Sequence, residues 1–290
     1  MKHFVQDIAI TLLFGVLIVL PLEIYMAKKP DPMAYQYSYM ENHADRIKTL
    51  ILGHSQTANA FDPHAVGDSA FCLATPSRVI YFDRLLLEKY VSCLPNLKTV
   101  IYPMHYSFSG ACLFYSNQGM QEVVTYRHAK YMHLHVDQYP VSSALATSAF
   151  LSGQLRVGNM AGDNNIDSLG YAPWPGAPTG WQSEDDVKQI RQEEFVQDLT
   201  VMARLCHEQG VRFIVITCPF SNAALEHVTD EGIANMYSVV DQVKALYPVE
   251  YINYLDTPAF RDDSLYHDWS HLDRTGATLF ANQVKKDFHL

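Results

Sequence analysis

The chain reads as an α/β protein built on a parallel sheet covered on both faces. Two observations predict this. Short runs that are apolar on both faces recur along the chain, at Ile47 to Gly53, Leu97 to Tyr102 and Val211 to Cys218. Stretches with helical spacing of apolar residues alternate with them. Strands apolar on both sides need a layer of helices on each, and that alternation supplies the layers.

Ile47 to Gly53 opens the sheet and runs into a glycine-containing turn. Ala70 to Thr75 is a second short strand. Val79 to Tyr90 carries Leu85, Leu86 and Tyr90 at helical spacing and predicts a helix. Pro95 breaks the chain, and Leu97 to Tyr102 is the third strand. Ser183 to Gln209 is the clearest helix. Ser183 can cap it, three acids (Glu184, Asp185, Asp186) favour its positive end, and Ile190, Phe195, Leu199, Met202 and Leu205 share a face. Gly210 ends it. Val211 to Cys218 follows as a strand stopped by Pro219. Ile233 to Leu246 is the next helix, Val249 to Leu255 the next strand, and Thr275 to Phe288 the closing helix. Between about 107 and 180 the pattern is mixed and rich in Gly, Asn and Pro, which reads as an insertion over the carboxyl ends of the strands.

Two segments precede the domain. Residues 4–27 are almost continuously apolar and exceed the roughly 20 residues that cross a bilayer, so we expect a single-pass membrane anchor. A cleaved signal peptide is the rival reading, but Glu23, Tyr25, Lys28 and Lys29 leave no small-x-small cleavage site. Charge does not set the orientation, since Lys2 flanks one end and Lys28 and Lys29 the other. Residues 28–45 are polar and tyrosine-rich with two prolines and read as a linker. Residues 46–290 then form the domain.

Composition excludes some functions. With 290 residues and 48% hydrophobic content the chain can bury a sizeable core. A formal charge of −10, with no basic stripe, argues against nucleic-acid binding. The 12% aromatic share, including 18 tyrosines, leans weakly toward sugar handling or a membrane surface. Five cysteines without a C-x-x-C pair make no zinc or thioredoxin motif. Cys72 and Cys218 lie in apolar runs and are expected as small buried hydrophobes. No glycine-rich nucleotide loop is present, so no cofactor is expected. His267 and His271, four apart, do not make a metal site without a helix across them, and none is expected. His133 and His135 suit packing, and Trp174 and Trp181 plug a loop or stack on a sugar.

The chemistry sits at two distant points. Ser55 follows the first strand, where an open α/β sheet binds its ligands. Asp268 and His271 stand just before the last helix. A serine hydroxyl needs a base. His271 would take its proton, and Asp268 would hold the imidazole and stabilise its charged form. His54 is expected to be positional or a substrate contact rather than the base.

Leu52-Gly53-His54-Ser55-Gln56-Thr57 resembles block one of the SGNH/GDSL hydrolase superfamily, and Asp268-Trp269-Ser270-His271-Leu272 its block five. The resemblance spans most of the chain after residue 45. It implies a three-layer α/β/α sandwich with a flavodoxin-like sheet and a Ser55–His271–Asp268 triad. An anchor ahead of such a domain resembles the superfamily's cell-surface branch, which includes the D-alanyl transfer protein of teichoic acid synthesis and polysaccharide O-acetyltransferases. That branch implies an esterified cell-surface glycan or acyl donor as substrate, a membrane-bound O-acyltransferase as partner, and a domain outside the cytoplasm. Two blocks depart from the pattern. Leu73-Ala74-Thr75-Pro76-Ser77 lacks the oxyanion glycine of block two, and Pro103-Met104-His105-Tyr106-Ser107 the asparagine of block three. We expect a backbone N–H of Thr75 and a side chain of Tyr106 or Ser107 to substitute. The same departures motivate the alternative of a catalytically degenerate, anchored scaffold subunit.

Overall fold

The structure, a computed structural model, describes residues 2–28, 31–76, 78–106, 125, 127–134, 166–173 and 192–290. Most of the expected insertion lies outside them, as do Ser107, His135, Trp174, Trp181 and the Ser183 cap.

The helices are α1 (Lys2–Lys28), α2 (Pro32–Asn42), α3 (Ser55–Ala60), α4 (Pro63–Val66), α5 (Ile80–Tyr90), α6 (Gln192–Glu208), α7 (Asn222–Leu225), α8 (Asp230–Lys244) and α9 (Arg274–Phe288). The strands are β1 (Thr49–Ile51), β2 (Ala70–Cys72), β3 (Thr99–Pro103), β4 (Arg212–Thr217) and β5 (Glu250–Asn253). All pair in parallel, in the order β2-β1-β3-β4-β5. This is the doubly wound order whose ligand crevice opens where the chain reverses direction, between β1 and β3.

Register explains the layers. Leu50 pairs with Phe71 and Val100, and Val100 with Phe213. These four side chains join one apolar cluster with Leu86 and Leu87 of α5, Leu199 and Met202 of α6, and Met236 and Val239 of α8. One residue further along, Ile51 pairs with Cys72 and Ile101, and Ile101 with Ile214. They join a second cluster with Ala58 of α3 and Phe280, Ala281 and Val284 of α9. The period-two alternation of a strand thus feeds two cores, and the three-layer α/β/α sandwich follows. Cys72 and Cys218 are buried, as expected, and burial pushes both thiols up to about 12.

Helix ends follow the sequence signals where they exist. Thr229 caps α8 by accepting from the Gly232 N–H at 3.0 Å, and Asp273 caps α9 by accepting from that of Gly276 at 2.8 Å. Gly210 takes a left-handed φ of +67° after α6.

The stretch read as a linker is different. Its core is α2, which docks on the domain with Met33, Gln36 and Met40 buried. Pro32 stands at the first helical turn behind the Asp31 cap, a place that favours proline. Gln36 donates to the carbonyls of Cys72 and Ala74 at 3.2 and 3.0 Å, so a polar residue occupies the buried face and breaks the apolar pattern. Arg127 clamps the start of α2 by donating twice to the Asp31 carboxylate, at 3.0 and 2.9 Å.

The first helix contains a span, His3–Tyr25, with a mean hydropathy of 2.4 and none of its apolar stretch buried in the protein. It is long and apolar enough to cross a membrane. A core helix of that composition would be covered.

Candidate active site

The site is assembled at the carboxyl end of β1. Gly53 leaves the strand with a φ of +118°, a backbone region that side chains resist. A Cβ there would also come within 2.7 Å of Thr57 Oγ1 and 3.2 Å of Pro103 Cδ. The turn throws Ser55 onto the first position of α3, with His54 as the cap. Gly53→Ala is expected to cost about 1–3 kcal/mol in unfolding free energy and to slow any reaction of Ser55, both checked on the same preparation.

The partner loop arrives from far along the chain, His271 standing 216 positions after Ser55. Asp268 Oδ1 accepts from the backbone N–H groups of Ser270 and His271, at 2.9 and 2.8 Å. The N–H of His267 donates to the His271 carbonyl at 2.8 Å, and Tyr266 bridges Leu272. These bonds close a tight loop immediately ahead of α9. Gln56, the residue after Ser55, donates to the Ser270 carbonyl at 2.9 Å and ties the two halves together.

The structure brings Ser55, His271 and Asp268 into one hydrogen-bonded chain. His271 Nδ1 lies 2.9 Å from both Asp268 carboxylate oxygens. An acceptor there holds the proton of the neutral ring on Nδ1 and turns the Nε2 lone pair outward. That Nε2 lies 2.8 Å from Ser55 Oγ. Burial pushes the Asp268 carboxyl up, but His271 and the two loop N–H groups outweigh it and hold the group below its ordinary value. The side chains of His271 and Asp268 are only 12% and 11% exposed, which limits screening of their interaction by water. The arrangement can deprotonate a hydroxyl and stabilise the resulting imidazolium.

Two of the three expected substitute oxyanion donors, Thr75 and Tyr106, are engaged within the scaffold. The Thr75 N–H donates to the Gly53 carbonyl at 3.0 Å, extending the β1–β2 pairing. Its hydroxyl accepts from Arg78 at 2.9 Å and donates to Gln36 at 3.2 Å. The Tyr106 hydroxyl accepts from the Thr229 N–H at 2.9 Å and so braces the start of α8. Ser107 lies outside the described residues. His133 is exposed, at a φ of +50°, with its ring edge-on to Tyr37. Among the described residues no group of three or more His, Cys, Asp or Glu is placed to hold a metal.

A buried polar network under the serine turn was not read from the sequence. Asp83 of α5 accepts from the Gly53 N–H at 3.1 Å and from Arg78 at 3.4 Å. Arg78, fully enclosed, also donates to the Leu73 carbonyl, to Thr75 and to His128 Nε2 at 2.9 Å. The signal for Asp83 was present, since it shares its helix face with Leu86, Leu87 and Tyr90.

Burial pushes the Asp83 carboxyl up to about 6, against the pull of Arg78 and Gly53. A raised folded value means that the folded state binds the extra proton between about 4 and 6, so this group's contribution to stability falls as pH rises through that window. The wild-type minus Asp83→Asn difference in melting temperature is therefore expected to be more favourable to the wild type at pH 4 than at pH 7. An unchanged difference would contradict the assignment.

No family model and no curated protein matches the chain in sequence. Solved structures with a similar chain path include a GDSL-like lipase from Bacteroides thetaiotaomicron, with a TM-score of 0.45 and 10% identity over 89% of this chain and 98% of that one. A protein described as a platelet activating factor from Streptococcus pneumonia has a TM-score of 0.47 and 12% identity over 98% and 99%. A protein assigned as an acylhydrolase, from Bacteroides fragilis, has a TM-score of 0.42 and 10% identity over 88% and 96%.

Proposed function

We propose that this protein is a membrane-anchored serine enzyme that moves an acyl group to or from a cell-surface glycan through an acyl-enzyme on Ser55. The observation that carries the reading is the unbroken chain from Ser55 Oγ to His271 Nε2 at 2.8 Å and from His271 Nδ1 to Asp268 at 2.9 Å. A scaffold that had lost catalysis would have no need of all three groups in bonding register.

The reaction follows from the geometry. Ser55 Oγ attacks the acyl carbonyl carbon as its proton passes to His271 Nε2. The carbonyl electron pair moves onto oxygen. Collapse of the tetrahedral species re-forms the carbonyl and breaks the bond to the leaving alcohol, which takes the proton from His271. The second half repeats these steps with water, giving hydrolysis, or with a sugar hydroxyl, giving transfer. Asp268 stays ionised throughout and offsets the imidazolium.

The apolar first helix, uncovered by the protein, supports the anchor. The resemblance of an anchor ahead of such a domain to the superfamily's cell-surface branch supports a domain outside the cytoplasm, a glycan ester as substrate and a membrane-bound O-acyltransferase as acyl source. The test offers an O-acetylated polysaccharide to the detergent-solubilised full chain, with and without an unacetylated acceptor. The reading expects acetate to be released or moved by the wild type and not by Ser55→Ala. Equal activity of the two would sink it.

A further inference from the structure

The His54 ring has one nitrogen employed and one idle. Nδ1 accepts from the Gln56 N–H at 3.4 Å, which caps α3. In the neutral ring the proton then sits on Nε2. Nε2 is buried with no hydrogen-bond partner among the described residues, and the side chain belongs to a residue only 8% exposed. Burial, and then the charge of His271, push the imidazole down to about 3, so the ring is uncharged at working pH. His54 caps the helix whose first residue is Ser55, and Ser55 Oγ lies 2.8 Å from His271 Nε2. His105, from the carboxyl end of β3, packs edge-on against His54 with ring centroids 5.5 Å apart. A buried donor without an acceptor is unfavourable, and such groups in a reaction crevice call for an explanation.

We propose that His54 is a further catalytic residue, whose Nε2–H donates to the oxyanion that forms when Ser55 attacks an acyl carbonyl, with His105 positioning the ring. This rests on Ser55 being the nucleophile. The donor is preorganised, since Nδ1 is fixed by the cap and one ring face by His105. Its bond to the carbonyl oxygen strengthens as charge develops there, and so favours the tetrahedral species over the ground state. It also takes over the task that Thr75 and Tyr106, committed elsewhere, do not perform.

Two substitutions separate this role from capping. His54→Asn keeps an acceptor near the place of Nδ1 and loses the Nε2 donor. His54→Gln puts an amide N–H near the place of Nε2 and loses the cap. The full chain in detergent is treated with a fluorophosphonate, whose phosphoryl oxygen stands in for the oxyanion, and the labelling rate is read beside circular dichroism of each variant. The proposal expects His54→Asn to label about a hundredfold more slowly than the wild type, and His54→Gln less than about tenfold more slowly. Near-wild-type labelling of His54→Asn, or a fall of His54→Gln to the same level, would overturn it. Failure of the Ser55 reading looks different, because the wild type would then label no faster than Ser55→Ala.

Discussion

On the proposed mechanism His271→Ala is expected to lower acyl turnover by about 10⁴–10⁶-fold, and adding Ser55→Ala to it to cost little more. In that mechanism the two groups act as one unit, because the serine would be a nucleophile only while Nε2, at 2.8 Å, can receive its proton. Once either is gone, what remains is binding and whatever donors face the carbonyl. Asp268→Asn belongs to the same unit. It presents an amide donor to Nδ1 and so favours the wrong tautomer, for an expected loss of about 10⁴-fold. Single-turnover acylation of the purified variants with an activated ester checks all three. Multiplying losses in the double variant would show that the groups do not work together.

Arg78→Met lowers stability by about 3–5 kcal/mol. The substitution removes a charge enclosed on all sides and leaves the Asp83 carboxylate, whose Oδ2 already has no partner among the described residues, without its ion pair. The Leu73 carbonyl and the Thr75 hydroxyl each lose a donor at the same time. Thermal unfolding should register a fall on the order of 10 °C. The double variant Arg78→Met/Asp83→Leu should recover part of it, since the stranded charge goes too. A single variant as stable as the wild type would mean that the network contributes nothing. Labelling of Ser55 should slow in Arg78→Met as well, because Asp83 holds the Gly53 N–H at the turn that aims the serine.

The parts of this molecule that were legible in its sequence are those whose physics is local. Strands such as Arg212–Thr217 are apolar on both faces because both faces are covered, and Gly210 marks a helix end because a left-handed residue is needed there. Ser55, Asp268 and His271 could be paired across the chain because each stands at a junction where an α/β sheet opens. The Pro32–Asn42 helix was hidden by a proline that starts it and by Gln36, a polar residue satisfied by the carbonyls of Cys72 and Ala74 on a different segment. Arg78 and His128 were hidden in the same way, and only helix-face spacing marked Asp83. A charged or polar residue is ordinarily a surface residue, and only its partners, 5 and 50 positions away, make burial tolerable. Thr75 and Tyr106 were misplaced for the converse reason. Their types suit an oxyanion site, but their donors and acceptors are already used within the scaffold.

Fluorophosphonate labelling of the full chain beside its Ser55→Ala variant tests the central claim most directly. We expect the wild type to be labelled, the label to map to the peptide containing Ser55, and the variant to remain unlabelled while keeping its fold. A folded wild type that stays unlabelled, or a Ser55→Ala variant that labels equally, would contradict an activated serine at this site.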